Sequence, residues 1–239
     1  SWKIISLVTD NFWILTFGST ILAFAPPMIW RAYTPSGTQA ALAAHFLILV
    51  AYYLILSKEE AKRALYWGAL LSIAVLTHFY LFSMLAILWI GDLLDSVICR
   101  KSYSAKKAAH EIAVVSTAVV LCAWQAGYFA IASSAGVEQG YGFLKLNLLS
   151  PLDPNGWSFV LPNIPIQTTW GEGFNYLGLG VILAIALSIG LTLLASLSRK
   201  YPVFKNLSTS ALHHRFLLLG LLLLLLDAVS NNVGIGAKE

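Results

Sequence analysis

Ala64-Leu-Tyr-Trp-Gly-Ala-Leu-Leu-Ser-Ile-Ala-Val-Leu-Thr77-His78-Phe79-Tyr80-Leu-Phe-Ser-Met-Leu-Ala-Ile-Leu-Trp-Ile-Gly-Asp-Leu-Leu-Asp-Ser-Val-Ile98 is the stretch on which the fold turns. A helix that crosses a membrane needs roughly 20 apolar residues, and this run is far longer. Both of its flanks are basic: residues 57–63 carry Lys58, Lys62 and Arg63, and residues 92–110 carry Arg100, Lys101, Lys106 and Lys107. One continuous helix would put these flanks on opposite sides of a membrane, whereas short loops rich in Lys and Arg stay in the cytoplasm. Two helices that turn at Thr77-His78-Phe79 remove the conflict. The first of them, 63–77, is then short for a bilayer, which a local break or membrane thinning accommodates.

Working outward, residues 198–215 form a third basic break, and the three breaks together hold eleven of the fifteen Lys and Arg residues. Five further apolar segments, 12–30, 38–56, 111–131, 176–197 and 212–230, are each long enough to cross. The chain therefore reads as all-α, a polytopic transmembrane helix bundle of seven spans with its N-terminus inside and its C-terminus outside. Residues 1–239 make one transmembrane domain, and 132–174 form a long external loop between spans five and six. The composition agrees: 58% hydrophobic, 11% charged, mean hydropathy +0.75, against about a quarter charged in soluble domains. The net charge of +4 fits anionic lipid headgroups, since the basic residues flank apolar segments and no nucleic-acid motif accompanies them. Nucleic acid is excluded as a partner on that ground, and membrane lipids are the expected surroundings. Ser1 is not a start Met, no signal peptide precedes the first span, and the chain stops straight after an apolar segment, so it reads as an excerpt of a longer protein. Cys99 and Cys122 lack a CxxC spacing, which argues against a disulfide or a metal pair.

Local signals refine the ends of these elements. Thr9-Asp10 is placed to cap the first span, and Pro26-Pro27 should kink or end it, because neither residue donates a backbone hydrogen bond. The external loop is rich in Gly, Pro and Trp, which favours irregular structure and short interfacial helices packed on the membrane face.

Polar residues assigned to the outer side are the candidates for chemistry. Arg31 ends the first span against the positive-inside trend; it can snorkel to the headgroups or fork a phosphate. His45, about two turns inside the second span, is either a neutral imidazole bonded to a neighbouring helix or a ligand for a phosphate or hydroxyl near the outer mouth. His78 and Tyr80 stand at the turn, as turn residue and interfacial anchor or as a titratable pair at the site. Glu172 opens the string Glu172-Gly-Phe-Asn175-Tyr176-Leu-Gly178-Leu-Gly180 at the entrance of the sixth span. It can cap that helix or accept a proton from a sugar hydroxyl. Asp227 and Asn231 close the last span on the same side. Asp153 and Glu138 read as solvated loop acids. There is no HExxH, P-loop or GxSxG.

These strings carry a resemblance. Gly37 with Ala41-Leu-Ala-Ala-His45-Phe, then Thr77-His78-Phe-Tyr80, then Glu172-Gly173 through Gly180, resemble a bacterial membrane family catalogued as domain-of-unknown-function family 6311, over nearly the whole chain. That family is grouped by fold with the GT-C glycosyltransferases. The resemblance implies a multi-pass protein of the bacterial inner membrane that transfers a sugar from a polyprenyl-phosphate donor at the external face, with a divalent metal ion as a possible helper. It implies an acidic base on the first external loop of the full protein, upstream of Ser1, leaving Glu172 as the candidate within this chain. Arg31, His45, His78, Tyr80, Asn175, Tyr176, Asp227 and Asn231 are then the substrate-binding candidates. Relatives often carry a histidine where this chain has Thr38. A cell-envelope polysaccharide ligase or polymerase would use similar groups. A transporter or flippase would instead place polar residues at the midplane on broken, repeated helices, and no repeat is visible.

Overall fold

The computed structural model describes residues 1–33, 40–57, 62–130, 146–166, 174–197, 212–229 and 234–235. They form α1 (Trp2–Ile5), α2 (Phe12–Ala23), α3 (Pro26–Tyr33), a 3-10 turn (Ala40–His45), α4 (Phe46–Ser57), α5 (Arg63–Thr77), α6 (Phe79–Leu94), a π-turn (Asp95–Cys99), α7 (Ala105–Gln125), α8 (Leu179–Leu197) and α9 (Arg215–Val229). The fold is all-helical, with no strand among the described residues.

The long apolar run divides at His78. That residue is extended, with φ −164° and ψ 132°, and its Nδ1 accepts the backbone N–H of Tyr80 at 3.2 Å, so it caps α6. Arg63 at the start of α5 lies 2.6 Å from Asp92 near the end of α6. The two helices therefore run antiparallel, as the basic flanks require. α7 runs alongside α5 in the same direction: Arg63 meets Glu111 near the two starts, and the Tyr128 hydroxyl donates to the Val75 carbonyl near the two ends at 3.0 Å. α9 packs antiparallel to α6, because Gly91 faces Leu217 and Gly220 faces Ile87. A Cβ on Gly91 would come within 2.9 Å of the Leu217 Cα, so the two helices approach at a distance that only a small residue allows. Trp67, Leu71, Leu81, Leu85, Val115 and Leu217 fill the space between these four helices.

Two helical stretches, Phe79–Cys99 and Ala105–Gln125, are long and apolar enough to cross a membrane. A third crossing results if α2 and α3, bent by 46° at their break, count as one span. The bend falls at Pro26-Pro27, as the missing N–H donors dictate. α4, α5 and α8 are apolar but shorter; the 15 residues of α5 extend about 22 Å, short of a hydrocarbon core of roughly 30 Å. α8 exposes Leu183, Leu187, Leu191 and Leu194.

Several expected boundaries move. α2 is capped by Asn11, whose side chain accepts from the N–H groups of Trp13 and Ile14, and not by Thr9-Asp10. His45 is not two turns inside a helix; it ends the 3-10 turn, after a kink at Ala44, directly before α4. The expected break 92–110 is mostly helical: Asp92 is paired with Arg63 and Arg100 inside the bundle, and Ser104 caps α7 ahead of Lys106 and Lys107. In the loop expected to be external, residues 146–166 form turns and bends in place of short helices.

Candidate functional site

The starts of α5, α7 and α9 and the end of α6 meet at one end of the bundle, and a buried ionic network joins them. Asp92 sits between two arginines, with Oδ2 2.6 Å from Arg63 Nη1 and Oδ1 2.6 Å from Arg100 Nη2. Arg63 Nε donates to both oxygens of Glu111, at 3.1 and 2.9 Å, and the indole N–H of Trp89 donates to the same carboxylate at 2.8 Å. Arg100 also donates to the hydroxyl of Ser96, which itself donates to the Asp92 carbonyl. Asp95 accepts the N–H groups of Phe216 and Leu217 at 3.0 and 2.8 Å, so a carboxylate from the π-turn after α6 satisfies donors that the first turn of α9 leaves open. Asp92, Asp95 and Glu111 are each fully buried. Charges withdrawn from solvent to this degree persist only when paired and hydrogen-bonded.

None of these five charged residues stood out in the sequence as a site. The signal was present all the same, since Asp92 and Asp95 interrupt the apolar string Ile90-Gly-Asp-Leu-Leu-Asp at positions that α6 turns inward.

The opposite end carries the turn at His78 and the end of α9. There the N–H of Leu146 donates to the Ala228 carbonyl at 2.7 Å, which docks the described residues of the loop before α8 on α9. Asp153 is not a solvated loop acid. It is buried, and its Oδ1 accepts the N–H groups of Ile164 at 2.9 Å and Asn155 at 3.3 Å, closing the loop on itself. The N–H of Leu177 donates to the Pro151 carbonyl at 3.0 Å, tying the approach to α8 to the same loop. Gly178 follows with φ +88°, and a side chain there would press on the Pro26 ring at 3.1 Å. The Phe174 ring lies between Trp30 and Trp157, at 5.7 and 5.2 Å between centroids.

At this end α3, which carries Arg31, packs on the 3-10 turn that ends at His45. Tyr176 is buried beside Phe174, and Asn175 is partly exposed between them. His78 stacks on Tyr80, with ring centroids 5.2 Å apart, so in the described contacts it serves its own turn. Asp227 is exposed next to the docked Ala228 carbonyl. Glu172, Asn231, Glu138 and Thr38 lie outside the described residues. Three buried polar atoms at this end, His45 Nδ1, Tyr176 Oη and Ser150 Oγ, have no hydrogen-bond partner among the described residues. Among the described residues no three His, Cys, Asp or Glu side chains group closely enough to hold a metal ion, and no step below is routed through one.

No curated protein and no solved structure matches the chain. A family model described as "Domain of unknown function (DUF6311)" matches residues 1–239. With the match running from the first residue to the last, the chain belongs to the DUF6311 family.

Proposed function

We propose that this chain is the membrane domain of a GT-C-type glycosyltransferase that takes a sugar from a polyprenyl-phosphate donor, with Arg31 and His45 holding the phosphate. The observation that carries the reading is the packing of α3, which bears Arg31 next to Trp30 and its ring contact with Phe174, on the 3-10 turn that ends at the half-buried His45, whose Nδ1 has no hydrogen-bond partner among the described residues. Buried polar groups are otherwise nearly always satisfied, so such a set suits a ligand that brings phosphate oxygens and hydroxyls. Trp157, Phe174 and Trp30 offer apolar faces of the kind that pack against a sugar ring. In the seven-span arrangement this end is external, and the ionic network faces the cytoplasm with the basic breaks.

The chemistry is inverting transfer. A carboxylate, Glu172 or an acid elsewhere in the full protein, takes the proton from an acceptor hydroxyl. The acceptor oxygen then bonds to the anomeric carbon while the bond from that carbon to the phosphate oxygen breaks, and polyprenyl phosphate leaves with the electron pair. Arg31 stabilises the charge gained on the departing phosphate, and His45 donates or accepts a hydrogen bond at its edge.

Binding of a short-chain polyprenyl-phosphate hexose to the detergent-solubilised protein tests this. Truncating a buried partner of a charge typically costs about 2–5 kcal/mol, so Arg31→Ala and His45→Ala should each weaken binding by tens-fold or more with unchanged melting temperatures. Donor binding equal to the parent in both variants would refute the assignment.

A further inference from the structure

We infer that the groove between the starts of α5 and α7 is a binding site for one anionic membrane phospholipid, whose phosphate sits among Lys62, Lys106 and His110 and whose acyl chains follow Leu65 and Val114. The groove is a cavity of about 900 Å³ lined by Lys62, Ala64, Leu65, Tyr103, Lys106, Lys107, His110 and Val114. It is separate from the Arg31–His45 end and lies beside the ionic network.

Its chemistry changes along its length. On α5 the cation Lys62 comes first and the apolar Ala64 and Leu65 follow; on α7 Lys106 and Lys107 come first, His110 lies a turn on, and Val114 a turn beyond. Because the two helices run parallel, both walls pass from cationic to apolar in the same direction, over about 12 Å from Lys106 to Val114. A phospholipid has that same sequence of charge and hydrocarbon. A free phosphate would use only the mouth, and the apolar half would have no occupant suited to it.

The local electrostatics point the same way. Cations in the first turn of a helix oppose its macrodipole, where acidic residues are favoured, yet Lys106 and Lys107 occupy the first turn of α7 and Lys62 stands at the cap of α5. Two positive helix ends and their lysines face one groove, and an anion placed there relieves all of them. The network behind the groove fixes its width: Arg63 and Glu111 tie the two helix starts together, and Gly68 lets α5 approach α7 further along, with 3.8 Å from its would-be Cβ to that of Ala118. Basic pockets between spans on the cytoplasmic side are a recurring headgroup site.

Native mass spectrometry of the detergent-solubilised chain, titrated with dioleoyl-phosphatidylglycerol or dioleoyl-phosphatidylcholine, reads the site directly. The parent should retain phosphatidylglycerol several-fold more than phosphatidylcholine. The Lys62→Gln/Lys106→Gln variant should lose on the order of 20–30-fold in phosphatidylglycerol affinity, while Lys101→Gln, on the same end but outside the groove, keeps the parent value. Val114→Trp, which fills the apolar half and leaves the cations in place, should also lose the lipid; if that variant melts early, the lysine variants decide. Equal retention of the two lipids by the parent, an undiminished preference in Lys62→Gln/Lys106→Gln, or an equal loss in Lys101→Gln would overturn the proposal. Displacement of phosphatidylglycerol by millimolar inorganic phosphate would overturn it too, by marking a site for soluble anions.

Discussion

Asp92 is the residue on which the basic end depends. It accepts from Arg63 and Arg100 at once and has no exposure to solvent, so its removal takes from Arg100 its carboxylate partner and leaves Arg63 with Glu111 alone. Breaking a buried pair in this way costs about 3–5 kcal/mol, well beyond what the pair contributes relative to an apolar substitute. Asp92→Ala should therefore lower the unfolding transition of the solubilised protein sharply. Asp10→Ala, at an exposed position, should stay within about 0.5 kcal/mol of the parent. Matching thermal or denaturant unfolding curves for the two variants would show that Asp92 does not hold the end together. The same reasoning explains why this site escaped the sequence. Asp92 and Arg100 stand in a stretch with the composition of a polar loop, and the partner that turns Asp92 inward, Arg63, comes from another helix 29 positions earlier. His78 was legible for the opposite reason: its role depends on helix length and on the charge of the two flanks, both of which are local facts.

At the scale of elements, α6 packs against α4, α5 and α9, and small residues set how closely helices come. Gly91 is the clearest case, since any Cβ there would collide with the backbone of α9 at Leu217. Gly91→Leu should force the two helices apart and cost about 1–3 kcal/mol or more. Gly190 in α8, which meets nothing within 4 Å, should accept Ala with a neutral or favourable effect of up to about 1 kcal/mol. Unfolding measurements on the pair check the contrast, and a Gly91→Leu protein as stable as the parent would contradict the α6–α9 packing. Periodicity and composition were enough to place most helices, because apolar length is a property of each segment alone. They could not give the ends. Helix α7 begins at Ala105 because the Ser104 side chain accepts the N–H of Lys107, and α2 begins at Phe12 because Asn11, and not the neighbouring Asp10, is positioned to accept its first N–H groups.

For the whole molecule, the division into two ends organises everything else. One end collects the starts of α5, α7 and α9 around paired charges; the other collects the His78 turn, the docked loop and the Arg31–His45 pair. The candidate site was only partly legible. The charge of the breaks assigns the candidates to one expected side, but the neighbourhood of Arg31 and His45 depends on the bend at Pro26 and on the packing of α3 against a 3-10 turn, which no spacing announces. The measurement that tests the account most directly is labelling from outside the cell, in the full chain with Cys99 and Cys122 replaced by Ser. A single cysteine goes either at Phe159, which is fully exposed on the loop, or at Ser102, which is exposed on the short connection before α7. An impermeant maleimide should modify Phe159→Cys in intact cells and should reach Ser102→Cys only after the membrane is permeabilised. Modification of both positions from the same side would contradict the two-ended arrangement and, with it, the external site for a lipid-linked sugar.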